Sequence, residues 1–224
     1  MTIDQVISRI KEIGIIPVVR APNLDQARRA VEAICAGGIS IVEITMTVPD
    51  APEVIRQVVR EYGDKVLTGA GTVLRSADAK RCLDAGAEFL VSPGFANSVL
   101  TTAAASSKLA IPGAMTPTEL MTAIENDAKL VKIFPCGNLG GPKFLKSLKA
   151  PFPNAALIPT GGVNAANAAD YFKAGAFALG IGADLVDTAA LREGNLGKIT
   201  NAARELVEAV RMARQPGIAA NSGA

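Results

Sequence analysis

The chain has 224 residues, 49% of them apolar and 20% charged, with a net charge of +2 and no histidine. That balance provides a large core and gives no reason to expect nucleic acid as a partner. The missing histidine removes His-based acid–base catalysis, Ser-His-Asp triads and histidine metal sites together, so any chemistry must run on Lys, Glu, Asp, Arg, hydroxyls, thiols and backbone.

Residues 1–14, "MTIDQVISRIKEIG", are amphipathic with charges throughout, unlike a signal peptide. No continuous apolar stretch reaches the length of about 18 residues that a membrane span needs. Cys35, Cys82 and Cys136 are scattered without metal-site spacing, and an odd count without an export signal points to reduced thiols in a cytoplasm.

Eight short apolar runs follow: "IIPVVR" (15–20), "SIVEIT" (40–45), "KVLTGAG" (65–71), "EFLVSPG" (88–94), "KLAIPG" (108–113), "LVKIFP" (130–135), "ALIPTGG" (156–162) and "FALGIG" (177–182). They are near-continuously apolar, as parallel strands covered on both faces are. Segments with helical periodicity separate them, such as "NLDQARRAVEAICAGG" and "TPTELMTAIENDA". Asn23, Asp50, Ser76 and Thr116 stand where N-caps belong, and Thr116 with Glu119 three residues on fits a capping box. Gly37, Gly86 and Gly175 stand where helices end.

Eight strand–helix units predict a single (β/α)8 TIM barrel with an extra N-terminal helix. Residues 1–213 form one domain, and residues 214–224 are expected to be a disordered tail. The alternative is an open doubly wound sheet; eight evenly spaced units favour closure.

In such a barrel the active site lies at the C-terminal ends of the strands. Arg20 ends the first run, Glu43 interrupts the second and Lys132 interrupts the sixth. A charge in an apolar run needs a partner or a shifted pKa. One reading is a structural ion pair of Glu43 with Lys132 or Arg20; the other is a site on which all three converge. A lysine ordinarily titrates near pH 10.4, and both burial and a nearby cation favour the neutral amine. A neutral amine in a dry pocket attacks a ketone to form a Schiff base. Glu43 is then the proton carrier, and Arg20 suits a substrate carboxylate. The turns "PTGG" and "GIG" after the seventh and eighth runs bring bare backbone to the recurrent phosphate position of such barrels. "GAGT" is too short to be a dinucleotide fingerprint. Two rivals stand beside the Schiff-base reading. In one, a phosphosugar isomerase uses Glu43 as an enolising base. In the other, the barrel binds anions without catalysis.

The strings "VVR", "VEIT", "GAGTV", "VSPG", "IPGAMTPTEL", "KIFP", "FPNAALIPTGGV" and "GIGADLV" resemble the 2-keto-3-deoxy-6-phosphogluconate (KDPG) and 4-hydroxy-2-oxoglutarate (KHG) aldolases over about residues 10–210. The resemblance implies a class I aldolase that needs no metal or other cofactor, a small 2-keto acid substrate and a homotrimer. It gives Lys132 the Schiff base and Glu43 the proton transfer. Arg20 and Thr72 hold the pyruvyl carboxylate, and Pro93 and Gly94 count among the substrate-binding residues. Thr160, Gly161, Gly162 and Gly182 hold phosphate. Two positions depart from the pattern: Thr47 stands where some members carry arginine, and Ala183 where many carry serine. Both departures weaken the expected grip on phosphate and raise the standing of 4-hydroxy-2-oxoglutarate.

Overall fold

The computed structural model describes residues 1–215. Helix α1 (Ile3–Ile13) leads into β1 (Ile15–Val19), α2 (Leu24–Ala36), β2 (Ile41–Thr45), α3 (Ala51–Tyr62) and β3 (Leu67–Gly71). Next come α4 (Ser76–Asp84), β4 (Phe89–Val91), α5 (Asn97–Ala105), β5 (Leu109–Ile111), β6 (Gly113–Ala114) and α6 (Pro117–Glu125). The chain continues with β7 (Val131–Ile133), α7 (Pro142–Lys149), β8 (Leu157–Pro159), α8 (Ala168–Lys173), β9 (Leu179–Ile181), α9 (Thr188–Arg192) and α10 (Leu196–Arg214).

The strands form a curled parallel sheet of six, in the order β5-β4-β3-β2-β1-β9, and a second sheet of three, β6-β7-β8. The eight apolar runs thus give nine strands, because the fifth run is broken at Pro112, which has no N–H to donate. Isolated parallel bridges Leu157–Ala176 and Thr160–Gly180 tie β8 to the run that contains β9. Every residue of β1, β2 and β3 is buried, as covering on both faces requires.

Helix ends divide into those the local sequence determines and those it does not. Thr2 and Thr116 each close a capping box, with Gln5 and Glu119 respectively, and the Asn23 side chain accepts from Gln26 N–H. Asp50 precedes α3 but lies in the left-handed region at φ 52° and makes no side-chain cap. Ser76 is the first residue inside α4, and extended Arg75 holds the cap position. Gly37 keeps right-handed backbone at φ −84°; the left-handed turn falls on Gly38 at φ 95°. Gly37 is needed for packing instead, since a Cβ there would overlap Ala203 of α10. Gly86 and Gly175 are left-handed at φ 102° and 93°, as their positions after helices predict. Helix α10 runs through Arg214, one residue into the expected tail; residues 216–224 lie outside the described residues.

Helix α1 is held to the N-terminal side of the sheet by Arg9, which donates to the carbonyls of Asp64 at 2.7 Å and Lys65 at 2.6 Å. Arg214 donates to the carbonyl of Glu12 at 2.9 Å and lies 4.7 Å above the Phe172 ring. The opposite, C-terminal ends of the strands are left to the loops that carry Arg20, Thr72, Gly94 and Gly182. No helix among the described residues is long and apolar enough to cross a membrane.

Candidate active site

Strand pairing decides which side chains meet. Glu43 is in register with Gly69, Gly69 with Phe89, and Phe89 with Leu109. Gly113, four residues further on, pairs with Lys132, and Lys132 with Ile158. Steps of two residues stay on one face of a strand, so Glu43 and Lys132 share the interior face. On the other side Val18 pairs with Glu43, and Arg20 follows two residues later, just past β1.

Both charges are buried: Glu43 is 2% exposed and Lys132 7%. Burial raises the Glu43 carboxyl above its ordinary pKa, while the nearby positive charges of Lys132 and Arg20 pull against that rise. Among the described residues, neither cation forms an ion pair with Glu43, and no protein group hydrogen-bonds Glu43 Oε1. The structural ion pair that the sequence allowed is therefore absent among these residues. A buried acceptor left open is costly unless something else comes to it. Lys132 Nζ lies 5.4 Å from the centroid of the Phe134 ring, within range of a cation–π contact.

The other expected residues are in different states. Arg20 is exposed. Thr72, directly after β3, is held at φ 32°, a conformation that a β-branched residue adopts only under constraint and that clusters at functional sites. Pro93 and Gly94 are half-buried in the turn after β4, and Gly113 packs so closely on them that a Cβ there would overlap the Pro93 carbonyl. Thr160 is buried, and its side chain fills the space that a Cβ on Gly180 would need. Gly161 and Gly162 are left-handed at φ 89° and 73°. A Cβ on Gly94 or Gly182 would meet nothing within 4 Å, and neither residue has a left-handed φ. At these two positions neither packing nor backbone conformation demands glycine, whereas a ligand pressed against the main chain would.

Thr47 and Ala183 are exposed. The Thr45 hydroxyl donates to the Val19 carbonyl at 2.9 Å, so its 2.7 Å contact with the Thr47 hydroxyl takes the proton from Thr47. Lys143 and Lys146 are exposed on α7. Cys136 is buried, and burial pushes its thiol up to about 11, which leaves it un-ionised at neutral pH. Sequence reasoning passed over Phe134 as a plain strand residue. The signal available was its two-residue spacing from Lys132, which puts both on one face. Among the described residues no three His, Cys, Asp or Glu side chains stand together as a metal site would.

A parallel α/β fold that carries a buried lysine and a buried carboxyl within its strands, without an ion pair between them, has groups that a lyase can use. The family model described as KDPG and KHG aldolase matches residues 6–202, and the chain belongs to that family of aldehyde-lyases. The KHG/KDPG aldolase of Escherichia coli (strain K12) is 34% identical over 198 residues, which are 88% of this chain and 92% of that protein. The 2-dehydro-3-deoxy-6-phosphogalactonate aldolase of the same organism is 35% identical over 175 residues, 78% of this chain and 85% of that one. Among solved structures, the KDPG aldolase of Legionella pneumophila superposes with a TM-score of 0.83 at 30% identity, over 90% of this chain and 98% of that one. That relative was captured with pyruvate as a covalent carbinolamine intermediate.

Proposed function

We propose that the chain is a class I aldolase that reversibly cleaves 2-keto-3-deoxy-6-phosphogluconate to pyruvate and glyceraldehyde 3-phosphate through a Schiff base on Lys132. The observation that carries this reading is the pair of buried charges, Lys132 and Glu43, which share one interior face without closing into an ion pair.

The chain's own groups account for each step. Lys132 Nζ adds to the C2 ketone to give a carbinolamine, and loss of water leaves an iminium. Glu43 takes the proton of the C4 hydroxyl. The C3–C4 bond breaks and the aldehyde leaves. The C3–C4 bonding pair becomes the C2=C3 double bond of an enamine, and the C=N π pair moves onto the nitrogen. Glu43 returns the proton to C3, and hydrolysis frees pyruvate and the lysine. A carboxyl raised by burial suits both directions of transfer. Arg20 and Thr72 hold the pyruvyl carboxylate, with Pro93 and Gly94 beside it. Thr160, Gly161, Gly162 and Gly182 take the phosphate, the three glycines on backbone that approaches closely for want of side chains. No metal or organic cofactor enters the scheme.

The pairing registers support closure of the two sheets into a (β/α)8 barrel. A circuit that starts and ends at Glu43 advances four residues from Leu109 to Gly113, two from Ile158 to Thr160 and two from Ile16 to Val18. The total of eight is the stagger of such barrels, and α1 is then the extra helix beneath the floor. A homotrimer is part of the same reading. One structural neighbour at 32% identity is a protein cage designed by fusing symmetric oligomeric domains. The three free cysteines fit a cytoplasmic setting.

A second reading, with 4-hydroxy-2-oxoglutarate as the main substrate, is favoured by Thr47, whose only proton is committed to Thr45, and by Ala183, which has no hydroxyl. Measuring kcat/KM for both keto acids decides between them. The first reading predicts a value at least about tenfold higher for the phosphorylated substrate, an increment of about 1.4 kcal/mol in transition-state binding. A ratio reversed in favour of 4-hydroxy-2-oxoglutarate contradicts it.

A further inference from the structure

The "GAG" of β3, residues 69–71, has no role in the proposed reaction. Gly69 and Gly71 both lie on the interior face, since Gly69 pairs with Glu43 and Gly71 with Thr45. Neither has a left-handed φ, so an alanine backbone would be at ease at either position. What excludes a side chain differs between them. A Cβ on Gly69 would overlap the buried Phe89 ring, which is a packing requirement. A Cβ on Gly71 would overlap Oε1 and Cδ of Glu43 and stand 2.6 Å from its Cγ.

We propose that Gly71 is a positioning residue for the proton carrier: the space left by its missing side chain is the recess that fixes where the Glu43 carboxyl sits. The inference rests on Glu43 being the proton carrier of the proposed reaction. No protein group among the described residues hydrogen-bonds Oε1, so among these residues shape is what sets its position. The recess wall cannot retreat easily, because the Gly71 carbonyl accepts from Met46 N–H at 2.6 Å and β3 is paired on both sides. A methyl at residue 71 must therefore turn the carboxyl away. Lys132, on a strand of the other sheet, stays where it is. Adduct formation and proton transfer should then come apart.

The experiment compares Gly71→Ala with the unaltered chain in two assays on pyruvate: borohydride trapping, which reads the Schiff base, and exchange of the methyl protons in D2O by NMR, which reads proton transfer. Positioned general acid–base groups contribute about 10²–10⁴-fold, so exchange should fall by about tenfold or more while trapping stays within about twofold. The pH profile of the residual exchange should move as well, because the carboxyl has left its buried setting. A shortened carboxylate should relieve the overlap. On a Glu43→Asp background the same glycine replacement should therefore lower exchange at least about tenfold less than it does alone, as contacting groups couple.

Unchanged exchange in a folded Gly71→Ala overturns the proposal, and so does a parallel loss of trapping and exchange. If Gly71→Ala alone does not fold, the double variant decides: recovery of fold and exchange supports the recess, and no recovery overturns it. If the unaltered chain itself traps no pyruvate, the reaction fails and this inference with it. If it traps and exchanges normally and the glycine variant does too, only the recess fails.

Discussion

Glu43 combines burial with an open acceptor, and that combination has a thermodynamic signature. A carboxyl whose pKa is raised in the folded chain binds its proton more tightly there than in the unfolded chain. Stability therefore falls as pH rises from the ordinary carboxyl value of 4.5 through the raised one, and is lower by a constant amount above both. Glu43→Gln keeps the shape and removes the ionisation, and a neutral amide is less costly to bury than a carboxylate. The variant should melt a few degrees above the unaltered chain at pH 8, where each kcal/mol is worth about 2–4 °C in a chain of this size. That gain should vanish on acidification below pH 4.5. Differential scanning calorimetry at the two pH values reads it, and an equal or lower Tm at pH 8 contradicts the account of Glu43. Lys132 and Glu43 were legible in the sequence because each is a charge inside a run too apolar to solvate it. Phe134 was legible only through its two-residue spacing from Lys132, and the recess at Gly71 was not legible at all. Which side chain fills a glycine's space depends on the register of the neighbouring strand, and no local window contains that information.

Helix starts show the same limit one level up. Thr116 is extended, at φ −120° and ψ 160°, and its hydroxyl accepts from Glu119 N–H while Glu119 accepts from the N–H groups of Met115 and Thr116. These backbone donors hold the Glu119 carboxyl below its usual range, with Met115 the largest contributor. Asp50 has the right side chain in the wrong conformation: at φ 52° and ψ 38° it makes no cap to α3. Ser76 lies one residue too late, behind extended Arg75. Residue type alone predicts four equal caps, whereas backbone conformation distinguishes them. Urea denaturation should find Thr116→Ala destabilised by about 0.5–2 kcal/mol, with Ser76→Ala within about 0.5 kcal/mol of the unaltered chain. Equal losses in the two variants would contradict the assignment of caps.

Across the whole molecule, alternation of apolar runs with amphipathic segments was enough to expect parallel strands covered by helices, because that is how two-sided burial reads in a sequence. The break at Pro112 was visible as a proline, but its consequence was not. How the six-stranded and the three-stranded sheet form and meet depends on pairings such as Gly113–Lys132 and the bridge Thr160–Gly180. Those pairings carry Lys132 round to the face of Glu43, so the chemistry depends on global register as much as on either residue. The most direct measurement is reduction by borohydride in the presence of pyruvate, followed by peptide mass mapping. The account predicts one stable pyruvate adduct, on Lys132, and none in Lys132→Ala, with turnover lost in that variant. An adduct on Lys143 or Lys146, or full turnover without Lys132, would contradict it.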